Sequence, residues 1–173
     1  LYLVGNSRDE LGASEISFML SEDNDSIGIG GNVPQLETPE NNLSTYRALS
    51  KSIRRGLVKT SHDCSEGGVA VAIAEMCIGG RIGAIIDVDG TGDDSLWARL
   101  WGESLGRFIV GVKPETEAEW LKSMSGHGIT YLGEATQQEN LIIRDGFDDI
   151  INLKVSDMVN SWQNTLDMTG SGN

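Results

Sequence analysis

Apolar residues come in short runs separated by polar turns, and the rhythm of each run sets what it forms. Leu1 to Val4 is unbroken and closed by Gly5, the mark of a short buried strand. Ser7 is placed to cap a short helix with Asp9 and Glu10 in its first turn. Residues 21–42 are polar and carry glycine and proline, which reads as a long loop. Leu43, Tyr46, Leu49 and Ile53 recur at three- and four-residue steps, an amphipathic helix stopped at Gly56. Leu57 to Ser61 reads as a short strand. Val69 to Cys77 is apolar almost all round and rich in alanine. It is long for a strand, so the pattern predicts a buried helix, ended by Gly79-Gly80.

The second half alternates in the same way. Ile82 to Val88 reads as a strand, and Asp93 or Asp94 opens a helix bearing Leu96, Trp97, Leu100 and Trp101. Arg107 to Val112 is another strand. Pro114 suits a helix's first turn, and Glu115, Glu117 and Glu119 favour that end of the dipole. This helix should reach about Ser125. Strands are expected at 129–135, 141–144 and 150–155. Ser156 then caps a last helix carrying Met158, Val159, Trp162 and Leu166. The order predicts an α+β sandwich in which helices cover a mixed sheet. A purely parallel doubly wound sheet is the alternative. One domain is expected over residues 1–168, with 169–173 as a small polar tail. The first residue is leucine, which suggests numbering that begins inside a longer chain.

Charge narrows the function classes. The formal net charge is −13, and an acidic surface repels phosphate backbones, which argues against nucleic-acid binding. Five of the 13 basic residues fall between Arg47 and Lys59. They read as the solvated face of one helix, with a local basic patch as the alternative. No apolar run approaches the roughly 18–20 residues of a membrane span, and no leader pattern opens the sequence. Cys64 and Cys77 have neither CxxC nor zinc spacing. Free buried thiols in a reducing cytoplasm are expected, with no metal site.

The chemistry-bearing segment is His62-Asp63-Cys64-Ser65-Glu66-Gly67-Gly68. A strand ends, a polar turn follows and a helix begins. Ser65 is placed as N-cap, and Gly67 and Gly68 would bare their amides in the first turn. Those amides and the helix dipole favour an anion such as phosphate, with His62 and Asp63 beside it. The competing reading is that Ser-x-Gly-Gly serves close helix–strand packing and that His62 and Asp63 are a structural pair. The segment lacks the P-loop lysine and is not a dinucleotide fingerprint.

The run SHDCSEGGVAVAIAEM, Ser61 to Met76, resembles the HD-x-S-[DE]-GG-x-A-V-A-x-A-E-M signature of the phosphoribosylformylglycinamidine synthases. RDELGASE, Arg8 to Glu15, resembles the family's R-x-E-L-G-G-S-E segment. LWGESLGRFIVGV, Leu100 to Val112, resembles its F-x-E-S-x-x-R-hydrophobic segment. All three stand in the family's order. Ala13, Cys64 and Gly106 depart from the usual Gly, Val or Leu, and Ser, and Ala13 puts in doubt any backbone contact there that needs glycine.

The resemblance implies the C-terminal domain of the aminoimidazole ribonucleotide synthetase superfamily. Related kinases, selenophosphate synthetases and hydrogenase-maturation proteins are the rival members, and a non-catalytic packing module is a further alternative. It implies a cytoplasmic parent enzyme that uses ATP and magnesium to activate the amide oxygen of formylglycinamide ribonucleotide. Ammonia made from glutamine by a glutaminase component then displaces phosphate to give the amidine. The catalytic histidine, ATP contacts and magnesium carboxylates belong to N-terminal domains, so no catalytic residue is carried over. This domain alone is expected to be inactive and to bind neither ATP nor magnesium. Its expected partners are the parent's other domains, and its expected ligand contacts are Ser65, Gly67 and Gly68 with the ribonucleotide phosphate, then His62 and Asp63. In that family one site is catalytic and another holds nucleotide structurally, which leaves open the kind of site this turn serves. Glu103 and Arg107 are expected to form a structural ion pair.

Overall fold

In a computed structural model that describes residues 1–23, 31–36, 39–93 and 95–164, β1 (Tyr2–Val4) lies at the centre of the first of two four-stranded sheets. It pairs antiparallel with β4 (Phe108–Gly111) and with β5 (Ile129–Tyr131), and β2 (Thr60–Asp63) adds antiparallel outside β4. The second sheet runs β6 (Gly133–Thr136), β3 (Gly83–Asp87), β7 (Asn140–Asp145), β8 (Asp148–Lys154). Only its β3–β7 pairing is parallel. The helices are α1 (Glu15–Asp23), α2 (Pro39–Arg54), α3 (Gly68–Gly80), α4 (Leu96–Trp101), α5 (Pro114–Ser123) and α6 (Val155–Asn164). The α+β class with helices over open, mixed β-structure holds, and the parallel doubly wound alternative does not.

The pleat of the first sheet divides the core. Tyr2, Val4 and Val110 face one way, onto Leu49 of α2 and Trp120 of α5, with Met124 just beyond α5. Leu3 and Ile109 face the other way, toward α3. There they join Ala84 and Ile86 of β3 and Leu141 and Ile143 of β7 in one cluster. Helix α3 therefore has apolar neighbours from both sheets. That explains why Val69, Ala70, Ala72, Ile73 and Cys77 are all buried and why small residues dominate the helix.

Several boundaries differ from the sequence pattern, each for a tertiary reason. Ser7 caps nothing. It is buried, its amide donates to the Thr91 carbonyl (2.9 Å), and it bridges Gly92. Ser14 takes the cap role instead, accepting from the Ser17 amide (3.3 Å). The expected loop at 21–42 is shortened by α1 and α2 at its two ends. The strand expected at 57–61 shifts to Thr60–Asp63, because β4 offers partners through Phe108. Helix α4 starts at Leu96 under a Ser95 cap, not at Asp93, and Asp94 lies outside the described residues. The strand expected over 129–135 splits into β5 and β6 in different sheets, where the Leu132 and Gly133 amides both turn to the Leu1 carbonyl. Helix α6 begins at Val155, one residue before the expected Ser156 cap, with the Val155 amide on the Glu139 carbonyl (2.8 Å). Leu166 and the tail 169–173 lie outside the described residues. Among the described residues no helix is long and apolar enough to cross a membrane.

Candidate functional site

The three motif segments, far apart in sequence, meet at one place. Arg107 ties two of them. Its side chain is buried, and Nε donates to the Ser104 carbonyl (2.9 Å), Nη1 to Ser7 Oγ (2.9 Å) and Nη2 to the Gly102 carbonyl. Its own carbonyl accepts from the Cys64 amide (3.0 Å), which brings in the turn. Burial pulls the guanidinium below its ordinary value, opposed by the nearby Cys64, Glu10 and Glu103.

Glu103 makes the second tie. One oxygen, Oε1, accepts from the Glu15 amide (2.9 Å) and from the Gly67 amide (3.0 Å). A single carboxylate thus sits at the N-termini of α1 and α3, where both dipoles favour it. The expected Glu103–Arg107 ion pair is not the arrangement found. Residues 102–107 are not helical, so the four-residue spacing does not place the two side chains together. Glu103 is satisfied by backbone amides instead, and Arg107 by two carbonyls and the Ser7 hydroxyl. The Arg8 amide on Ser104 Oγ (3.1 Å) completes the clasp.

Around this clasp opens a cleft of about 590 Å³, lined among others by Asp63, Ser65, Glu66, Glu103, Arg107 and Tyr46. Ser65 and Asp63 are on its exposed rim. Ser65 is not the N-cap of α3. That position is Gly67, in the left-handed region at φ 72° with no side-chain cap. Ser65 Oγ donates instead to Asp63 Oδ2 (2.5 Å). That bond, helped by Asp63's own amide and by His62, lowers the Asp63 pKa from its ordinary value. Gly67 and Gly68 are buried. The Gly67 amide serves Glu103, and the Gly68 amide donates to the Ser65 carbonyl (3.1 Å).

His62 goes elsewhere. It and Asp63 are consecutive strand residues whose side chains approach each other, Nδ1 to Oδ1 at 3.8 Å. The imidazole Nε2 lies 3.2 Å from Glu75 Oε2 on α3, and Nδ1 lies 2.7 Å from the Asp63 carbonyl oxygen. His62 lines a separate cleft of about 520 Å³ with Glu75, Met76 and Cys77. Of the five sequence-predicted contacts, Ser65 and Asp63 therefore share the open rim, Gly67 and Gly68 lie behind it, and His62 faces another cleft. Both thiols are free and buried, and burial pushes each up to about 11.

The roles of Ser7, Glu15 and Ser104 were not picked out from sequence. Glu15 and Ser104 lie inside the recognised motifs and Ser7 directly before one, so the signal was present, but only the fold joins the segments. Three carboxylates, Asp63, Glu66 and Glu103, line the cleft beside one guanidinium whose three nitrogens each already donate within the clasp. Among the described residues no group of three or more His, Cys, Asp or Glu is placed to hold a metal. These side chains do not fit a magnesium–nucleotide site on this chain alone.

Comparison with known proteins agrees with this architecture. The family model "AIR synthase related protein, C-terminal domain" matches residues 1–146. The chain is 33% identical, over 96% of its length, to the phosphoribosylformylglycinamidine synthase subunit PurL of Synechocystis sp.. It is 32% identical, over 96%, to that of Limosilactobacillus reuteri. It spans 21% of the length of each of these relatives. A solved structure of T. maritima PurL complexed with FGAR superposes at a TM-score of 0.73 with 19% identity, covering 91% of this chain and 27% of that one.

Proposed function

Because this chain belongs to the family of AIR synthase related proteins, C-terminal domain, we propose that it is one domain of a longer ATP-dependent carbon–nitrogen ligase of purine biosynthesis. In that reaction the amide oxygen of formylglycinamide ribonucleotide takes a phosphoryl group from ATP, releasing ADP. Glutamine-derived ammonia then adds to the same carbon and inorganic phosphate leaves, giving the amidine. The other domains supply the nucleotide site, the magnesium and the catalytic groups, and a glutaminase component supplies the ammonia.

The observation that carries this reading is the clasp: all three motif segments converge on Arg107 and Glu103 around one cleft. This domain's part is to form one wall of the substrate site. Ser65 becomes the donor toward the ribonucleotide phosphate when its hydroxyl turns away from Asp63, to which it donates here. The Gly67 and Gly68 amides join that contact only when Glu103 releases Gly67 and the Ser65 carbonyl releases Gly68, and His62 supports the turn from behind. The acidic cleft cannot neutralise a phosphate by itself, so the balancing cations come from neighbouring domains. That requirement accords with a chain spanning about a fifth of its relatives' length.

The test is Ser65→Ala in the complete protein. One hydrogen bond to a charged phosphate is worth about 1.5–3 kcal/mol. The KM for the ribonucleotide should therefore rise roughly tenfold or more, with the KM for ATP unmoved. Unchanged kinetics in a folded variant would remove Ser65 from the site. A packing module that binds nothing is the second reading, favoured by the internal engagement of both glycine amides, and it predicts that unchanged result.

A further inference from the structure

The five cations of the basic run noted in the sequence are all exposed, and three of them line a groove. Arg47 and Lys51 of α2 and Arg55 just beyond it form one wall of a groove of about 550 Å³, and Glu119 and Lys122 of α5 form the other. The helices are pinned there by a Ser52–Ser123 hydroxyl bond (2.8 Å). Arg55 is neutralised by Glu119. Among the described residues Arg47, Lys51 and Lys122 have no ion-pair partner. Arg47 and Lys51 stand four residues apart, where like charges repel. The Arg55 amide on the Lys51 carbonyl (3.1 Å) continues the helical step, so these cations recur over roughly 12 Å. On a chain of net charge −13 this is a local reversal of sign.

We propose that the α2–α5 groove docks an acidic polypeptide segment with carboxylates at helical four-residue spacing. The spacing argues against a small anion: the charges are strung along the groove rather than converging on a point, and Glu119 sits among them. A helical partner with acids at i and i+4 matches the unpaired Arg47 and Lys51, which is charge complementarity in register. At about 150 mM salt the Debye length is about 8 Å, so a docked segment feels these cations while the distant acids of the domain are screened.

The test uses this chain and a fluorescein-labelled alanine-rich peptide carrying glutamate every fourth residue, with a scrambled-spacing peptide of equal charge. Anisotropy should show binding of the spaced peptide, weaker binding of the scrambled one, and a decline with added salt. Lys51→Glu and Arg47→Glu should each weaken binding tenfold or more; Lys51→Gln serves if a reversal variant misfolds by circular dichroism. No binding at millimolar peptide, equal binding of both peptides, equally effective competition by pyrophosphate, or tighter binding of a duplex oligonucleotide would each overturn the proposal.

Discussion

Helix α3 begins in one glycine pair and ends in another, and the two pairs do opposite things. At the start, Gly67 and Gly68 hold left-handed backbone at φ 72° and 64°. A Cβ on Gly68 would stand 2.6 Å from the Gly102 carbonyl oxygen and 2.7 Å from that of Leu100, while one on Gly67 would strike the Val71 side chain. At the end, Gly79 has nothing within 4 Å of an added Cβ, and Gly80 meets only the Ile82 side chain. The left-handed residue that closes the helix is Arg81, at φ 53°. Glycine is thus obligatory where α3 enters the clasp and replaceable where it leaves. The same dipeptide marks a packing constraint at one end and a bare boundary at the other.

The sharpest break of this contrast is Gly68→Ala. The left-handed backbone costs an L-residue about 1–2 kcal/mol. Overlap with two backbone oxygens that cannot rotate away adds about 1–3 kcal/mol. A loss near 3 kcal/mol is expected in denaturant unfolding. A loss under about 1 kcal/mol would mean that α4 slides off readily and that the close approach is not required.

Gly67→Ala comes next, at about 2 kcal/mol from a similar backbone penalty and a neighbour that is a side chain. Val71→Ala removes the nearest colliding atom, Cγ2. The double variant should therefore lose less than the two single losses added together. Strict additivity would show that the backbone angle alone sets the cost.

How far this was readable from sequence depends on which residues cooperate locally. The body of α3, its glycine boundaries and the three motifs stood out, because apolar period and turn residues are local signals. What failed were roles decided by distant partners. Ser65 looked like a cap, but Glu103, 36 residues beyond Gly67, supplies the anion at that helix start. Glu103 and Arg107 looked like a pair, but their segment is not helical. His62 and Asp63 looked like one site; their side chains do approach to 3.8 Å, but His62 also reaches Glu75 and lines a second cleft. A need for glycine was legible as bare amides or close helix–strand packing, but not the neighbours that impose it at Gly68, the Leu100 and Gly102 carbonyls.

The smallest effect is the one that tests the other end of α3. Gly79 lies inside the helix with open space where a methyl would go. Alanine there adds no clash and removes unfolded-chain entropy, and it suits a helix better than glycine by up to about 1 kcal/mol. Because the position is close to the helix end, a gain of about 0.5 kcal/mol is expected. The measurement is the shift in unfolding midpoint at unchanged m-value. Destabilisation by Gly79→Ala would show that this pair, too, is held by a close approach, and the two ends of α3 would then differ in degree rather than in kind.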